Sequence, residues 1–405
     1  MITEHYIAAN KDKSVLDESS SGGIFTALSQ YIFENNGIVC GALFDSERKE
    51  VIHKVAYNID EISTMRKSKY VWSDYTNCLL DLEKAIEDEK IILFTGTPCQ
   101  CEIIRKKYGY YEGLYIVDVY CHGTGDKTIF KEYLQNCLPD CDKVDFRGEK
   151  ANSEINYVFK AWNSENVQII EEEYGENIYT FLYVNSVALR DSCFQCPFAV
   201  KKHVSDITIG DFEFKDIAYE YGITVSHPSI VSLNTIRGKQ FWNYIQNSVH
   251  NVKLNNSEKQ IIVHYFRDHK QLTGAWGYNK EIKEIFETNR RKYGFLKAAY
   301  MCLYPIEMRS LEEAQRRCWN NIYLYGHGKV GKRIKKIIDD VFSNINILGY
   351  IVTNKEVDYV LDIPVYSIVE IKNLKSNVQI IVSVAEHNKV GIYKELKKYG
   401  IKDYI

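Results

Sequence analysis

The chain has 405 residues, of which 45% are hydrophobic and 26% are charged, and its formal net charge at pH 7 is −3. This length predicts two or three domains, and the composition is typical of a globular protein. The net charge provides no basic surface that would attract nucleic acid. No apolar run approaches the roughly 20 residues that a membrane span needs, and the N-terminus does not look like a secretion signal. We therefore expect a cytoplasmic protein with no nucleic-acid partner and no membrane span.

The first half of the chain alternates helical and strand patterns. Apolar residues at helical spacing follow the turn of residues 19–23, and strand patterns come next at 38–44 and 51–56. The continuous apolar runs 91–96 and 114–120 are typical of central parallel strands. This alternation predicts an α/β core made of βαβ units.

The pattern changes in residues 142–175, where short strand patterns joined by polar turns predict an inserted antiparallel β region. We expect residues 1–254 to form one domain, a mixed sheet core with helices that contains this insertion. Residues 255–318 are charged and helical in pattern and are predicted to form a helical extension. Residues 319–405 alternate strands and helices again and predict a small C-terminal Rossmann-like βαβ domain.

Four of the 11 cysteines lie in three short motifs beside predicted strands. Cys99 and Cys121 each follow a buried strand, and Cys193 and Cys196 form a CxxC pair that leads into another. Cytoplasmic thiols stay reduced, and soft thiolates suit zinc or iron–sulfur sites better than disulfides there. The residues alone leave an iron–sulfur cluster, a structural zinc ion and no metal open. Cys101 is a competing ligand beside Cys99, and only one of these two thiols is expected to bind.

Three glycine-containing turns offer further sites. Residues 19–23, Ser-Ser-Ser-Gly-Gly, either bind a phosphate on free backbone N–H groups or only cap a helix. Residues 95–97, Thr-Gly-Thr, follow a buried strand, where open sheets bind ligands. Gly326, Gly328 and Gly331 form a GxGxxG pattern, but the acidic residue that binds the ribose in dinucleotide sites is missing. A nucleotide site and a vestigial or partner-binding unit are both open there.

In this order, the motifs resemble the beta-subunit family of coenzyme F420-reducing hydrogenase and F420-dependent dehydrogenases. The matching segments are 20–25 (SSGGIF), 68–71 (SKYV) with 73–74 (SD), 94–100 (FTGTPCQ), 121–123 (CHG), 146–147 (FR), 193–196 (CxxC) and 205–212 (SDITIGDF). The resemblance implies an oxidoreductase that binds FAD and one 4Fe–4S cluster. Such a protein passes electrons between a hydride donor or acceptor at the flavin and a one-electron carrier.

The resemblance also implies roles for individual residues. Cys99, Cys121, Cys193 and Cys196 would ligate the cluster. The FAD would be held by Ser20, Ser21, Gly22, Gly23, Lys69, Tyr70, Thr95, Gly96 and Thr97.

Partners follow from the same resemblance. One is a ferredoxin-like electron carrier, and the other is a small-molecule substrate, either coenzyme F420 or another hydride carrier. The C-terminal domain looks like domains found in bacterial surface-polysaccharide pathways, which suggests that context. Two alternatives are a non-catalytic zinc-stabilised module and a nucleotide-sugar-modifying enzyme that uses the C-terminal domain.

Overall fold

The computed structural model describes residues 4–149, 157–199, 204–255, 280–373 and 378–405. The chain forms two compact units, Met1–Lys283 and Glu284–Ile405, and each is described by itself. The domain boundaries expected after residues 254 and 318 stay predictions, and residues 256–279 of the expected extension lie outside the described residues. No helix in the described ranges is long and apolar enough to cross a membrane.

The strands of the first unit form two sheets. In chain order they are β1 (Glu4–Asn10), β2 (Ile38–Asp45), β3 (Glu50–Ala56), β4 (Ile92–Gly96), β5 (Leu114–Val119), β6 (Cys141–Glu149), β7 (Tyr157–Asn163), β8 (Gln168–Glu173), β9 (Ile207–Asp211), β10 (Ser229–Leu233) and β11 (Val249–Lys253). The main sheet has the order β11-β1-β10-β9-β5-β4-β2-β3, and β6-β7-β8 form the small second sheet. The main sheet is parallel from β2 through β4 and β5 to β9 and antiparallel towards both edges.

Helices cover both faces of the main sheet. Those of the first unit are α1 (Lys13–Asp17), α2 (Ile24–Glu34), α3 (Leu79–Glu87), α4 (Pro98–Tyr108), α5 (Lys127–Cys137), α6 (Ile178–Val184), α7 (Lys215–Glu220) and α8 (Ile236–Ile245), with the start of α9 (Lys280–Tyr293). On one face Leu93 packs in a core with α2 and α8. On the other face Ile92 and Phe94 pack in a core with α3 and α4. Because both faces are covered, the central strands read as unbroken apolar runs.

The second unit contains a smaller sheet. Its strands are β12 (Asn321–Tyr325), β13 (Asn346–Val352), β14 (Tyr359–Val360), β15 (Ile363–Ser367) and β16 (Ile380–Val382), in the order β14-β15-β13-β12-β16. Its helices after α9 are α10 (Phe295–Leu303), α11 (Pro305–Arg316), α12 (Lys329–Val341), α13 (Ile368–Lys372) and α14 (Glu386–Lys398). All strand pairs except β14 with β15 are parallel. The predicted fold class is confirmed: a mixed α/β core, an inserted antiparallel region and a C-terminal parallel unit.

Candidate active site

A cleft of about 1880 Å³ opens in the first unit beside the carboxyl ends of β4, β5 and β9. Open α/β sheets bind ligands at this edge. The volume exceeds the roughly 300–1000 Å³ of an ordinary small-ligand pocket, so a dinucleotide fits within it. Of the residues expected to hold FAD, the lining includes Ser20, Ser21, Gly23, Lys69, Tyr70, Thr95, Gly96 and Thr97 but not Gly22.

The turn before α2 is fixed by close packing against the sheet. A Cβ on Gly22 would lie 2.3 Å from the carbonyl oxygen of Ala8, and the Gly22 N–H donates to Ser229 Oγ at 2.9 Å. Gly23 has a positive φ of 69° and directly precedes α2, which has no side-chain cap. The free N–H groups of the first turn of α2 therefore favour an anion at this end of the helix.

Thr26 Oγ1 and His53 Nδ1 are buried polar atoms beside the cleft that have no hydrogen-bond partner, and Arg66 Nε and Arg147 Nε are others. His53 Nε2 lies 2.9 Å from the carbonyl oxygen of Thr95, so Nε2 carries the proton and Nδ1 is left as an acceptor. Burial lowers the pKa of His53 to about 4, which keeps the ring neutral. Neither Thr26 nor His53 was expected at the site from the sequence. The signal there is weak, since it is one histidine among the apolar residues of β3.

Lys69 and Tyr70 form part of the cleft wall. The Lys69 ammonium donates to the carbonyl oxygens of Arg66 and Lys67. Burial lowers its pKa to about 7, with the charge of Lys67 acting in the same direction and Asp145 opposing. The Tyr70 ring stacks on Tyr183, with 4.7 Å between ring centroids. Lys69 is therefore a cleft residue able to hold or release a proton near neutral pH.

The small inserted sheet supplies another part of the wall. Arg147, at the end of β6, forms an ion pair with Asp211 at the end of β9 and donates to the Tyr157 hydroxyl. Its guanidinium lies 4.2 Å from the centroid of the Tyr157 ring. The segment Phe146–Arg147, to which the resemblance assigned no role, thus ties the inserted sheet to the main one.

A short segment, residues 70–73, is hydrogen-bonded to the surroundings of the cysteines, and we call it the central segment. Cys99 lies in the first turn of α4, where Gln100 Oε1 accepts from the N–H of Thr97 at 2.9 Å. Gln100 Nε2 donates to the carbonyl oxygen of Ser73 at 2.8 Å. The buried Gln100 side chain therefore attaches the turn of Cys99 to the central segment.

Backbone hydrogen bonds attach the other cysteine motifs to the same segment. The Gly125 N–H donates to Tyr70 at 3.1 Å, and the Trp72 N–H donates to Gly125 at 2.9 Å. The Arg190 N–H in turn donates to Thr124 at 3.0 Å. The chain just after Cys121 is thus bonded directly to residues 70–72, and the chain just before Cys193 is joined to them through Thr124.

The four predicted ligands affect one another electrostatically. Burial raises the pKa values of the Cys99, Cys121 and Cys196 thiols, and a nearby Cys193 thiol raises each of them further. Cys99 also raises the pKa values of Cys121 and Cys196. In the ranges that the structure describes, no three or more His, Cys, Asp and Glu side chains are arranged to hold a single metal ion.

Cys101 has different surroundings from Cys99. The Cys99 Sγ lies 3.2 Å from Thr97 Oγ1, whereas the Cys101 Sγ lies 3.7 Å from the carbonyl oxygen of Val117 within the sheet core. Burial raises the pKa of the Cys101 thiol well above its ordinary value. Cys101 therefore has the environment of a core side chain.

Comparisons with known proteins agree with the motifs. The family model for the N-terminal part of the coenzyme F420 hydrogenase/dehydrogenase beta subunit matches residues 5–79, and the model for its C-terminal part matches residues 89–258. A chain from the xenon-derivatised F420-reducing [NiFe] hydrogenase complex of Methanosarcina barkeri is 14% identical, with a TM-score of 0.44. That match covers 71% of this chain and 93% of the other. No curated protein sequence matches.

The two family models together match more than half of the residues, and they do so in the order in which the motifs occur. The chain therefore belongs to the family of coenzyme F420 hydrogenase/dehydrogenase beta subunits, which are oxidoreductase subunits.

Proposed function

We propose that this protein is an iron–sulfur flavoprotein oxidoreductase, with FAD in the cleft and a 4Fe–4S cluster on Cys99, Cys121, Cys193 and Cys196. The observation that carries the proposal is that the central segment contacts both the cleft and the surroundings of the cysteines. Tyr70 lines the cleft, while the same segment is hydrogen-bonded to the turn of Cys99 and to the chain after Cys121, and the Arg190 guanidinium just before the CxxC pair lies 3.7 Å from the centroid of the Trp72 ring. A flavin and a cluster that both adjoin one short segment would lie near each other, as electron exchange between them requires.

The donor set fits an iron–sulfur cluster. Four cysteines are the complete protein ligand set of a 4Fe–4S cluster, in which each thiolate binds a different iron atom. Burial disfavours the free thiolates of Cys99, Cys121 and Cys196, so bound iron would supply the positive charge that stabilises them. Such a cluster would carry single electrons.

The cleft fits FAD in volume and in polarity. The uncapped start of α2 and the Lys69 ammonium both favour a diphosphate or another anionic group. Thr26 Oγ1 and His53 Nδ1 lack hydrogen bonds that a bound ligand can make. When bound, the flavin accepts a hydride and releases electrons one at a time.

The residues of the chain have distinct parts in this proposal. Lys69 holds or moves a proton at Nζ near neutral pH, because its pKa is lowered to about 7. His53 orients the ligand as a hydrogen-bond acceptor, and the stacked rings of Tyr70 and Tyr183 exclude water from that part of the cleft.

The partners that we propose are a ferredoxin-like electron carrier and a small-molecule hydride donor or acceptor. The family description supports coenzyme F420 as the first hydride carrier to test. We place the activity in the cytoplasm and, from the resemblance of the C-terminal domain, in surface-polysaccharide biosynthesis.

Anaerobic purification followed by metal and flavin analysis tests the proposal. We expect bound FAD and about four iron atoms per chain. Cys99→Ser and Cys193→Ser should each lose most of the iron, whereas Cys318→Ser, at an exposed position in the second unit, should keep it. A colourless protein with zinc on the cysteines would instead establish the zinc-stabilised module, and full iron in either ligand variant would refute the assignment.

A further inference from the structure

Lys283, near the start of α9, makes three contacts with one short stretch of chain. Its ammonium donates to the carbonyl oxygen of Leu189 and forms an ion pair with Asp191 Oδ1 at 2.8 Å. The same nitrogen lies 5.5 Å from the centroid of the Phe194 ring. The lysine is only 7% exposed, which is rare for this residue type.

The contacted stretch is the loop that carries the CxxC pair. Asp191–Gln195 is a single 3₁₀ turn that contains Cys193, and Cys196 directly follows it. A 3₁₀ turn of this length has few hydrogen bonds of its own and does not hold its shape alone. Arg190 and Leu189 fix its beginning on the segment after Cys121, through Thr124 and Gly125.

We propose that Lys283 is a positioning residue of the metal centre, whose ammonium holds the 3₁₀ turn so that Cys193 and Cys196 stay directed towards Cys99 and Cys121. The inference rests on the proposed function, because that function makes these four cysteines ligands. It gives the start of α9 a role, although α9 begins beyond residues 5–79 and 89–258 that the family models match.

The three contacts of the Lys283 ammonium together matter more than its ion pair with Asp191 alone. The Asp191 side chain is 92% exposed, and an ion pair with such a partner contributes at most about 1 kcal/mol. The buried ammonium, in contrast, connects residues 189, 191 and 194 through a single atom. Replacing Lys283 with methionine would keep the length of the side chain but remove its hydrogen-bond donors and its charge. Replacing it with arginine would keep both the donors and the charge.

The first test measures release of iron from the anaerobically purified full-length protein to a ferrous chelator. Loss of groups that orient metal ligands typically weakens metal binding by 10–100-fold, so Lys283→Met should release iron about 10-fold faster than the wild type. Lys283→Arg should restore slow release. Lys292→Met, an exposed position on the same helix, should match the wild type. The FAD content and thermal unfolding midpoint of Lys283→Met should stay unchanged.

The second test uses metal-free protein, so it decides the inference whether or not the wild type binds a cluster. Alkylation by iodoacetamide is followed at each cysteine by mass spectrometry. In Lys283→Met, Cys193 should react about 10-fold faster than in the wild type, while the rate at Cys101 stays the same. Equal rates at Cys193 in the two proteins would overturn the positioning role. A general rise at all buried cysteines would overturn it too, because it would indicate global destabilisation. Absence of iron and flavin from the wild type would refute the proposed function and with it the metal centre, while the alkylation rates would still decide whether Lys283 positions Cys193.

Discussion

Two glycine-containing turns in this chain have similar sequence signatures but different surroundings. The turn of residues 19–23 lies beside unsatisfied polar atoms of the cleft, at the uncapped start of α2. In the turn that begins at Gly326, Ser383 Oγ donates to the carbonyl oxygens of Tyr325 and Gly326, at 2.9 and 2.8 Å. A Cβ on Gly331 would lie 2.2 Å from the Gly326 oxygen, so this glycine is required for packing the helix on the turn.

Some side chains around the second turn satisfy one another, whereas the buried hydroxyl of Tyr350, whose ring lies against His327 of that turn, has no partner. The Tyr325 hydroxyl lies 2.8 Å from Thr353 Oγ1 and donates to Glu395 Oε2 at 2.7 Å. Buried polar groups in folded proteins usually have partners, so the several unpaired atoms that line the cleft beside the first turn are a stronger sign of a ligand than the Tyr350 hydroxyl near the second. The comparison teaches that a glycine pattern indicates a binding site only when the groups around it still lack partners.

The largest expected effect concerns His53. If the cleft holds this histidine neutral, its pKa of about 4, against an ordinary 6.5, makes the unfolded state bind more protons between these values. As the pH falls from 6.5 to 4, the free energy of unfolding of the wild type should therefore decrease by about 3 kcal/mol relative to that of His53→Gln. Below about pH 4 the difference between the two proteins should stay constant.

Urea unfolding of both proteins across this pH range measures the effect. The difference between the proteins is the relevant quantity, because burial raises the pKa of Asp118 to about 7 and this carboxyl titrates in the same range with the opposite sign. If the free energies of unfolding of the two proteins changed in parallel with pH, His53 would have an ordinary pKa in the folded protein, and the cleft would not be closed around it.

A smaller effect is expected from adding one methyl group to each turn. Gly22→Ala should destabilise the protein by about 2–3 kcal/mol, because its Cβ meets the Ala8 oxygen at 2.3 Å and the Ser229 nitrogen at 2.9 Å. Gly328→Ala is the matched control: nothing lies within 4 Å of its Cβ, and the change should stay below about 0.5 kcal/mol. Free energies of unfolding in urea measure both. Equal decreases in the free energy of unfolding for the two variants would show that the two turns do not differ in packing.

Local sequence patterns were sufficient for the central elements of the fold. The apolar runs at β4 and β5 identify strands covered on both faces, and short strand patterns joined by polar turns identify the inserted sheet. No strand was predicted at β1 or β11. β1 forms its partnership with β10 across more than 200 residues, as in the pair Glu4↔Leu233, and its small Ala8 and Ala9 give little strand signal.

For the site, the sequence identified motifs but not the contacts between them. Of the residues expected at the cleft, 95–97 lie at the end of β4, which a strand pattern reveals, whereas 20–23 precede α2 and 69–70 lie in a loop. Most of these residues line the cleft. The contacts Gln100–Ser73 and Lys283–Leu189 join residues 27 and 94 positions apart, and no local pattern reports them. The roles of the four cysteines as ligands and of residues 20–23, 69–70 and 95–97 in holding FAD stay predictions.

The smallest expected effect separates the two turns by their hydroxyl groups. Ser383→Ala removes a donor from two carbonyl oxygens and should cost about 1–2 kcal/mol. Thr26→Val replaces a buried hydroxyl that has no partner with a methyl group of similar size, so the flavin-free protein should become more stable by about 1 kcal/mol. The same variant should retain less FAD on purification, because the ligand loses a hydrogen bond. A destabilised Thr26→Val would mean that this hydroxyl already has a partner, and the first turn would then resemble the second.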